Sequence, residues 1–138
     1  MPNAEARRSA IRTYRDLRVW QHARELFVAL TRLIRQLPFS ERLVFESQTR
    51  RAARGVAASI AEGFRRRDLG DYVRSLSYAG GSLGEVESDL NLLSSINDVD
   101  PGLLKQCDDL CIQVGRELTA LETRLRRLRR DGKRTHDD

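Results

Sequence analysis

The sequence predicts an all-α protein, an antiparallel up-down-up-down four-helix bundle. Three observations predict this fold. Apolar residues recur at alternating steps of three and four along four segments, which is the spacing of one helix face. Proline and glycine are sparse enough to separate these segments by short connections, and no segment alternates apolar and polar residues as a strand would. Four amphipathic helices of about 20 to 30 residues with short connections pack as antiparallel neighbours.

The first predicted helix begins after Asp16 and ends before Pro38. We expect the Asp16 carboxylate to cap the free N–H groups of the first turn, and Pro38 to stop the helix because its ring cannot continue it. The apolar stripe consists of Trp20, Ala23, Phe27, Leu30, Ile34 and Leu37.

The second predicted helix begins after Ser40, whose hydroxyl is expected to cap it. Its apolar and small residues form two neighbouring stripes, so this helix should be buried on two sides and let another helix approach closely. One stripe is Phe45, Thr49, Ala52, Val56, Ser59 and Gly63, and the other is Ala53, Ala57, Ile60 and Phe64.

The third segment contains Gly80, Gly81 and Gly84 beside a serine, a composition typical of a phosphate-binding loop. The apolar stripe nevertheless continues through the glycines without a change of register, which predicts a helix. Each interior glycine costs a helix about 1 kcal/mol relative to alanine, so we expect another backbone to approach closely there. Asp68 should cap this helix, with Asp71 in the capping-box position. The stripe is Tyr72, Leu76, Ala79, Leu83, Val86, Leu90 and Leu93.

The fourth predicted helix starts with Asp100 and Pro101, an N-cap and first-turn pair, and ends near Arg130. Its stripe includes Cys107 and Cys111, which lie four residues apart and so share a helix face. We interpret them as reduced core thiols rather than a disulfide or metal site. The stripe is Leu104, Cys107, Cys111, Val114, Leu118, Leu121, Leu125 and Leu128.

The chain of 138 residues has room for a single domain, which we place at 15–130. Residues 1–14 are expected to form a disordered arm and residues 131–138 a disordered tail. No run of residues is apolar and long enough to predict a membrane span, and the first residues lack a secretion signal. We therefore expect a cytoplasmic protein without a membrane partner.

Charge gives the main functional indication. The net charge is +5, the pI is about 9.9, and all but two of the 25 basic residues are arginine. Such a balance favours attraction to nucleic acid or to another acidic partner. The second helix and the turn after it carry a basic patch whose guanidinium groups are suited to phosphates. The candidate nucleic-acid-binding residues are Arg50, Arg51, Arg54, Arg65, Arg66 and Arg67.

The same patch is also suited to a protein partner. The third helix is acidic at Glu85, Glu87 and Asp89, so the arginines could pair with it inside the bundle or on another subunit. RNA contact and protein pairing are left as two alternatives. A second basic run, Arg124 to Arg130, has no aromatic residue beside it, which disfavours base-specific recognition there.

A catalytic function is not indicated. His22 lies between stripe positions, where an exposed side chain is expected, and His136 lies in the predicted tail. The two cysteines have no histidine nearby to complete a zinc site. We therefore predict that the protein is not an enzyme and has no catalytic residues, metal or cofactor.

Three segments together resemble the 23S rRNA intervening-sequence protein family. They are "YRDLRVWQHA", "SQTRRAARGVAASIAEG" and "DYVRSLSYAGGSLGEVE". The resemblance covers about residues 14 to 125. The second segment of that family usually ends Asn-Ile-Ala-Glu-Gly, whereas Ser59 stands here in place of the asparagine, and Ala57 replaces a usual proline. Any binding role of that asparagine in relatives does not carry over to this chain.

The resemblance implies a cytoplasmic, non-enzymatic bundle that forms homopentamers and is often encoded within rRNA-gene insertions. Similar bundles act as accessory subunits of reverse transcriptases and contact both the enzyme and RNA. The functional hypothesis is therefore a self-assembling scaffold that associates with structured RNA through its basic helix face. The alternative is an adaptor that docks a reverse transcriptase or another acidic protein.

Overall fold

Four helices follow one another along the chain and are separated by short connections. The structure is a computed structural model that describes residues 11–96 and 98–132. A 3-10 turn, Tyr14–Asp16, leads into α1, Arg18–Arg35. It is followed by α2, Phe39–Arg65, by α3, Leu69–Leu93, and by α4, Pro101–Arg130. These two described ranges contain no strand, and the all-α prediction is confirmed.

The helices form a closed ring around one apolar core. Each helix packs against the next in sequence, and α4 returns to pack against α1, whereas the diagonal pairs do not meet. All four helices contribute fully buried side chains, for example Leu30, Ile60, Leu76 and Leu125. This arrangement is the predicted four-helix bundle, because four amphipathic stripes can all be buried only when they face a common axis.

The start of α1 differs from the prediction. Asp16 is not its N-cap; it ends the preceding 3-10 turn, whose N-cap is Thr13. The Asp16 carboxylate accepts hydrogen bonds from the backbone N–H groups of Arg12, at 2.8 Å, and Thr13, at 3.0 Å. Those two hydrogen bonds lower the pKa of Asp16. Leu17 stands at the N-cap of α1 and makes no side-chain hydrogen bond there.

The predicted cap of α2 is also wrong, whereas Asp68 and Asp100 are confirmed as the N-caps of α3 and α4. The capping box predicted for Asp71 is not formed; its carboxylate lies 3.6 Å from Arg74 instead. Pro38 is extended and α2 begins directly after it, so Ser40 already lies in the first turn. Its hydroxyl donates to Glu41 rather than accepting from the backbone. Asp68 accepts from the N–H of Asp71. Asp100 accepts from the N–H groups of Gly102 and Leu103.

The glycine-rich segment is helical, as its register predicts. However, a Cβ atom placed on Gly80, Gly81 or Gly84 would meet no atom within 4 Å. The close backbone approach expected there does not occur within the described chain. The tightest packing between these two helices is found instead at Gly63 on α2, where a Cβ atom would lie 2.9 Å from two side-chain atoms of α3, the Ser75 Cβ and the Tyr72 Cδ1. The three glycines of α3 therefore form an open outer face.

The predicted disordered segments lie largely outside the described residues. This is true of residues 1–10 of the arm and of residues 133–138 of the tail. Within the described part, Ile11 and Tyr14 are half-buried and pack against the core. None of the helices that the structure describes is both long and apolar enough to cross a membrane.

Candidate nucleic-acid interface

The six predicted arginines lie along α2 and the connection that follows it. Arg50, Arg51, Arg54 and Arg65 are on the helix itself, and Arg66 and Arg67 follow its last residue. At about 1.5 Å per residue, Arg50 and Arg65 are about 22 Å apart along the axis. At about 100° per residue, Arg50, Arg54 and Arg65 project within about 60° of one another. Arg50, Arg54 and Arg65 therefore lie on one side of α2, and Arg66 and Arg67 continue from its C-terminal end.

Five of the six arginines are exposed and available to a ligand. Within the described part of the chain, none of these five makes an ion pair or a side-chain hydrogen bond. Each guanidinium group therefore keeps its full set of N–H donors for phosphate or carboxylate oxygens. We call these five residues the basic strip: Arg51, Arg54, Arg65, Arg66 and Arg67.

Arg50 differs from the basic strip because its guanidinium group is engaged within the protein. Its Nε atom donates to the Thr31 hydroxyl of α1 at 3.2 Å. Its NH1 group contacts Glu46 at 3.3 Å. The Arg50 Cζ atom also lies 5.3 Å from the centroid of the Phe27 ring, in cation–π geometry. Arg50 consequently links α2 to α1 and is less available to a ligand than its neighbours.

The acidic residues of α3 do not neutralise the basic strip in the same chain. Glu85 and Glu87 are exposed, and among the described residues neither forms an ion pair. Asp89 accepts a hydrogen bond of 2.6 Å from the hydroxyl of Thr49 instead. Among the described residues, no ion pair joins the predicted arginines to these acidic residues inside the bundle.

His22 is not the exposed residue that the sequence suggested. The imidazole is half-buried, and its Nδ1 atom lies 2.6 Å from the Glu117 carboxylate, which joins α1 to α4. The prediction was wrong because this particular position beside the α1 stripe lies against Glu117 of α4 rather than in solvent. Within the described ranges, no group of three or more histidine, cysteine or acidic side chains is close enough to hold a metal ion.

The two cysteines are buried core residues, as predicted, and neither is in a disulfide. Burial raises the pKa of Cys107 and of Cys111 to about 12, from an ordinary value of 9.0. Both thiols therefore stay protonated near neutral pH, which makes them poor nucleophiles and poor metal ligands.

Comparison with known proteins agrees with this architecture. The family described as 23S rRNA-intervening sequence protein matches residues 15–120 of the chain. The chain belongs to this family. A search of curated protein sequences finds no match. The family match includes α1, α2, α3 and most of α4, and so it includes the whole basic strip.

Sequence analysis missed one group of residues next to the strip. Arg54 lines a groove between α1 and α2 together with Arg24 and Trp20. The aromatic side chains of α1 had been assigned to the core, because they fit the helical stripe. The only available signal was that Arg24 falls four residues after Trp20, on the same side of the helix.

Proposed function

We propose that this protein is a non-enzymatic, self-assembling scaffold that associates with structured RNA. The observation that carries the proposal is the basic strip: five exposed arginines without an acidic partner in the described chain. A guanidinium group without an ion pair can bind a phosphate directly, because no bond within the protein has to be broken first. The free energy of phosphate binding is therefore more favourable. Membership of a family named after 23S rRNA intervening sequences supports RNA as the acidic partner.

Self-assembly would strengthen such binding. We propose a homo-oligomer of five subunits, as the family resemblance implies. Copies of the strip would then act together on one RNA, and several weak phosphate contacts would add through effective concentration. The open glycine face of α3 supports this proposal, because helices with small residues allow close approach of a second molecule.

The test is binding of a structured rRNA fragment across a salt series. Phosphate contacts release counterions, so the logarithm of affinity should fall with the logarithm of salt concentration by about 0.7 to 0.9 for each contact. With five contacts, the slope should be about −3.5 to −4.5. The triple variant Arg51→Glu/Arg65→Glu/Arg67→Glu should flatten it by about two units or more.

The matched control reverses three exposed arginines on other faces of the bundle: Arg32→Glu/Arg35→Glu/Arg116→Glu. It makes the same change in net charge, so it should reduce affinity much less if the strip is the contact surface. Equal losses in both variants would attribute binding to net charge alone. No binding by the unmodified protein at low salt would refute the RNA proposal.

The alternative is a protein-docking adaptor, for a reverse transcriptase or another acidic protein. One observation favours it: the end of the bundle where α2 begins and α3 ends exposes large apolar side chains. Phe39, Leu43, Val44 and Leu92 are each more than half exposed. Such clusters are more typical of protein contacts than of phosphate contacts. Binding of a purified reverse transcriptase after complete RNase treatment, lost in Val44→Asp/Leu92→Asp, would support this function.

A further inference from the structure

A groove runs along the seam between α1 and α2, beside the basic strip. Its volume is about 480 Å³, within the usual range of small-ligand sites. The floor is formed by the small side chains Ala57, Ala58 and Ala61 of α2. The 3-10 turn before α1 contacts α2, and its Tyr14 side chain also lines the groove.

The walls of the groove are aromatic. Tyr14, Trp20 and Phe27 line it from the α1 side. Tyr14 and Trp20 are in edge-to-face contact, with ring centroids 5.0 Å apart and an angle of 68° between the rings. All three side chains are half-buried, so each ring is partly exposed. The Arg15 and Arg50 guanidinium groups lie over one face of the Tyr14 and Phe27 rings, at 5.8 Å and 5.3 Å from the ring centroids. Aromatic rings held in this way can stack on a planar ligand at little entropic cost.

The rim of the groove is cationic. Arg24 on α1 and Arg54 on α2 line it from opposite sides, and neither has an ion-pair or hydrogen-bond partner among the described residues. Among the residues that the structure describes, no aspartate or glutamate lines the groove. The Trp20 indole N–H has no hydrogen-bond acceptor within the described part of the chain either. A ligand that satisfies these groups must combine a flat ring, hydrogen-bond acceptors and a negative charge.

We infer that this groove binds an unpaired nucleotide of single-stranded RNA, with its base against the aromatic wall and its phosphate between Arg24 and Arg54. Because Arg54 also belongs to the basic strip, an RNA strand on the strip continues into the groove. A base inside a duplex is already stacked and cannot offer its ring face, so the groove selects loops, bulges and single-stranded ends. This inference rests on the proposed function. It adds that the protein distinguishes unpaired from paired regions of RNA by binding an unpaired base.

Trp20 is the single tryptophan of the chain, so its fluorescence reports on this groove alone. The experiment titrates the full-length protein with a 12-nucleotide adenylate RNA, with a 12-base-pair RNA duplex and with poly-glutamate at equal charge concentration and fixed salt. We expect the single strand to quench Trp20 emission and to bind more tightly than the duplex. Poly-glutamate should leave the emission unchanged.

Two variants, each with its own control, identify the contacts. Tyr14→Leu removes the ring but keeps the bulk, and should weaken single-strand binding by about 5- to 150-fold, whereas Tyr14→Phe should restore it. Arg54→Gln should weaken binding more than Arg116→Gln, which removes the same charge from an exposed site on α4. Circular dichroism of each variant checks that the helices are retained.

The possible failures are distinguishable. Binding of both RNA forms with equal affinity and no quenching would overturn the groove assignment and leave RNA contact by the basic strip intact. Equal quenching by poly-glutamate would indicate an acidic protein segment and overturn nucleotide recognition. Emission that depends on protein concentration without RNA would place a second copy of the chain in the groove. No RNA binding at low salt would refute both this inference and the proposed function.

Discussion

The residue that determines how closely α2 and α3 pack is Gly63. Its neighbours Ser75 and Tyr72 leave no room for a methyl group, since the nearest atoms would lie 2.9 Å from an added Cβ. We expect Gly63→Ala to lower the free energy of unfolding by about 1 to 3 kcal/mol, the usual cost of overpacking. Urea unfolding followed by circular dichroism measures this change.

The same substitution at Gly115 of α4 is the matched control. That position is helical, and an added Cβ would make only an ordinary contact, 3.6 Å from the Leu83 Cδ2 atom. Alanine there should raise the free energy of unfolding by up to about 1 kcal/mol, because alanine favours the helix over glycine. If both substitutions destabilised the protein equally, the assignment of Gly63 as the point of closest approach would be wrong.

The buried thiols make stability depend on alkaline pH. The pKa of Cys107 and of Cys111 is about 12 in the folded protein and 9.0 ordinarily, so the unfolded chain loses these protons first as pH rises. Their contribution to stability is complete below about pH 9 and declines between about pH 9 and 12, by up to about 1.4 kcal/mol per pH unit for each thiol. Urea unfolding under reducing conditions at pH 8 to 11 measures the slope.

Cys107→Ala/Cys111→Ala should make this pH profile flatter without removing it, because burial also raises the pKa of the Tyr72 hydroxyl. The variant is compared by slope rather than by absolute stability, since the loss of two sulfur atoms from the core is itself destabilising. A profile as steep as that of the unmodified protein would show that the thiols do not cause the dependence.

At the scale of the helices, one polar contact fixes how α2 and α3 face each other. The Thr49 hydroxyl is fully buried and donates to the Asp89 carboxylate at 2.6 Å. Thr49→Val keeps the shape but leaves the carboxylate without its donor, and should cost about 1.5 to 3 kcal/mol. A double-mutant cycle with Asp89→Ala, measured by urea unfolding, isolates the pair. Additive losses would mean that the two side chains do not interact.

The helices themselves could be predicted from the sequence because periodicity depends only on local spacing. The uninterrupted register through Gly80, Gly81 and Gly84 correctly predicted a helix. The caps were less predictable, because an aspartate or serine near a helix start can serve the wrong turn. Asp16 closes a 3-10 turn, and Ser40 lies inside the helix that it was expected to cap.

The candidate site was predictable only in part, because residue spacing gives the face of a helix but not its contacts with other helices. Spacing showed that Arg54 and Arg65 share a helix face, but it could not show that Arg50 is held by Thr31 and Phe27 of another helix. Spacing also cannot distinguish the centre of an apolar stripe from its edge. Trp20 therefore looked like a core residue, although it borders a groove.

For the whole molecule, the main open surface is the glycine face of α3. Glycines within a helix destabilise it, and those of this face make no close contact that would offset the loss within one chain. Close packing of the backbone of a second copy against this face would offset the loss. We therefore expect Gly80→Gln/Gly84→Gln, which adds bulk without charge, to retain the helices but to disrupt assembly.

Light scattering at micromolar concentration measures this effect. The unmodified protein should have about five times the 15.8 kDa mass of one chain, and the double variant should approach the mass of a single chain. Ala120→Gln, at an exposed helical position of α4, is the control and should leave the mass unchanged. A monomeric unmodified protein would refute self-assembly. An assembled double variant would place the subunit contact elsewhere, with the exposed apolar end of α2 and α3 as the next surface to test.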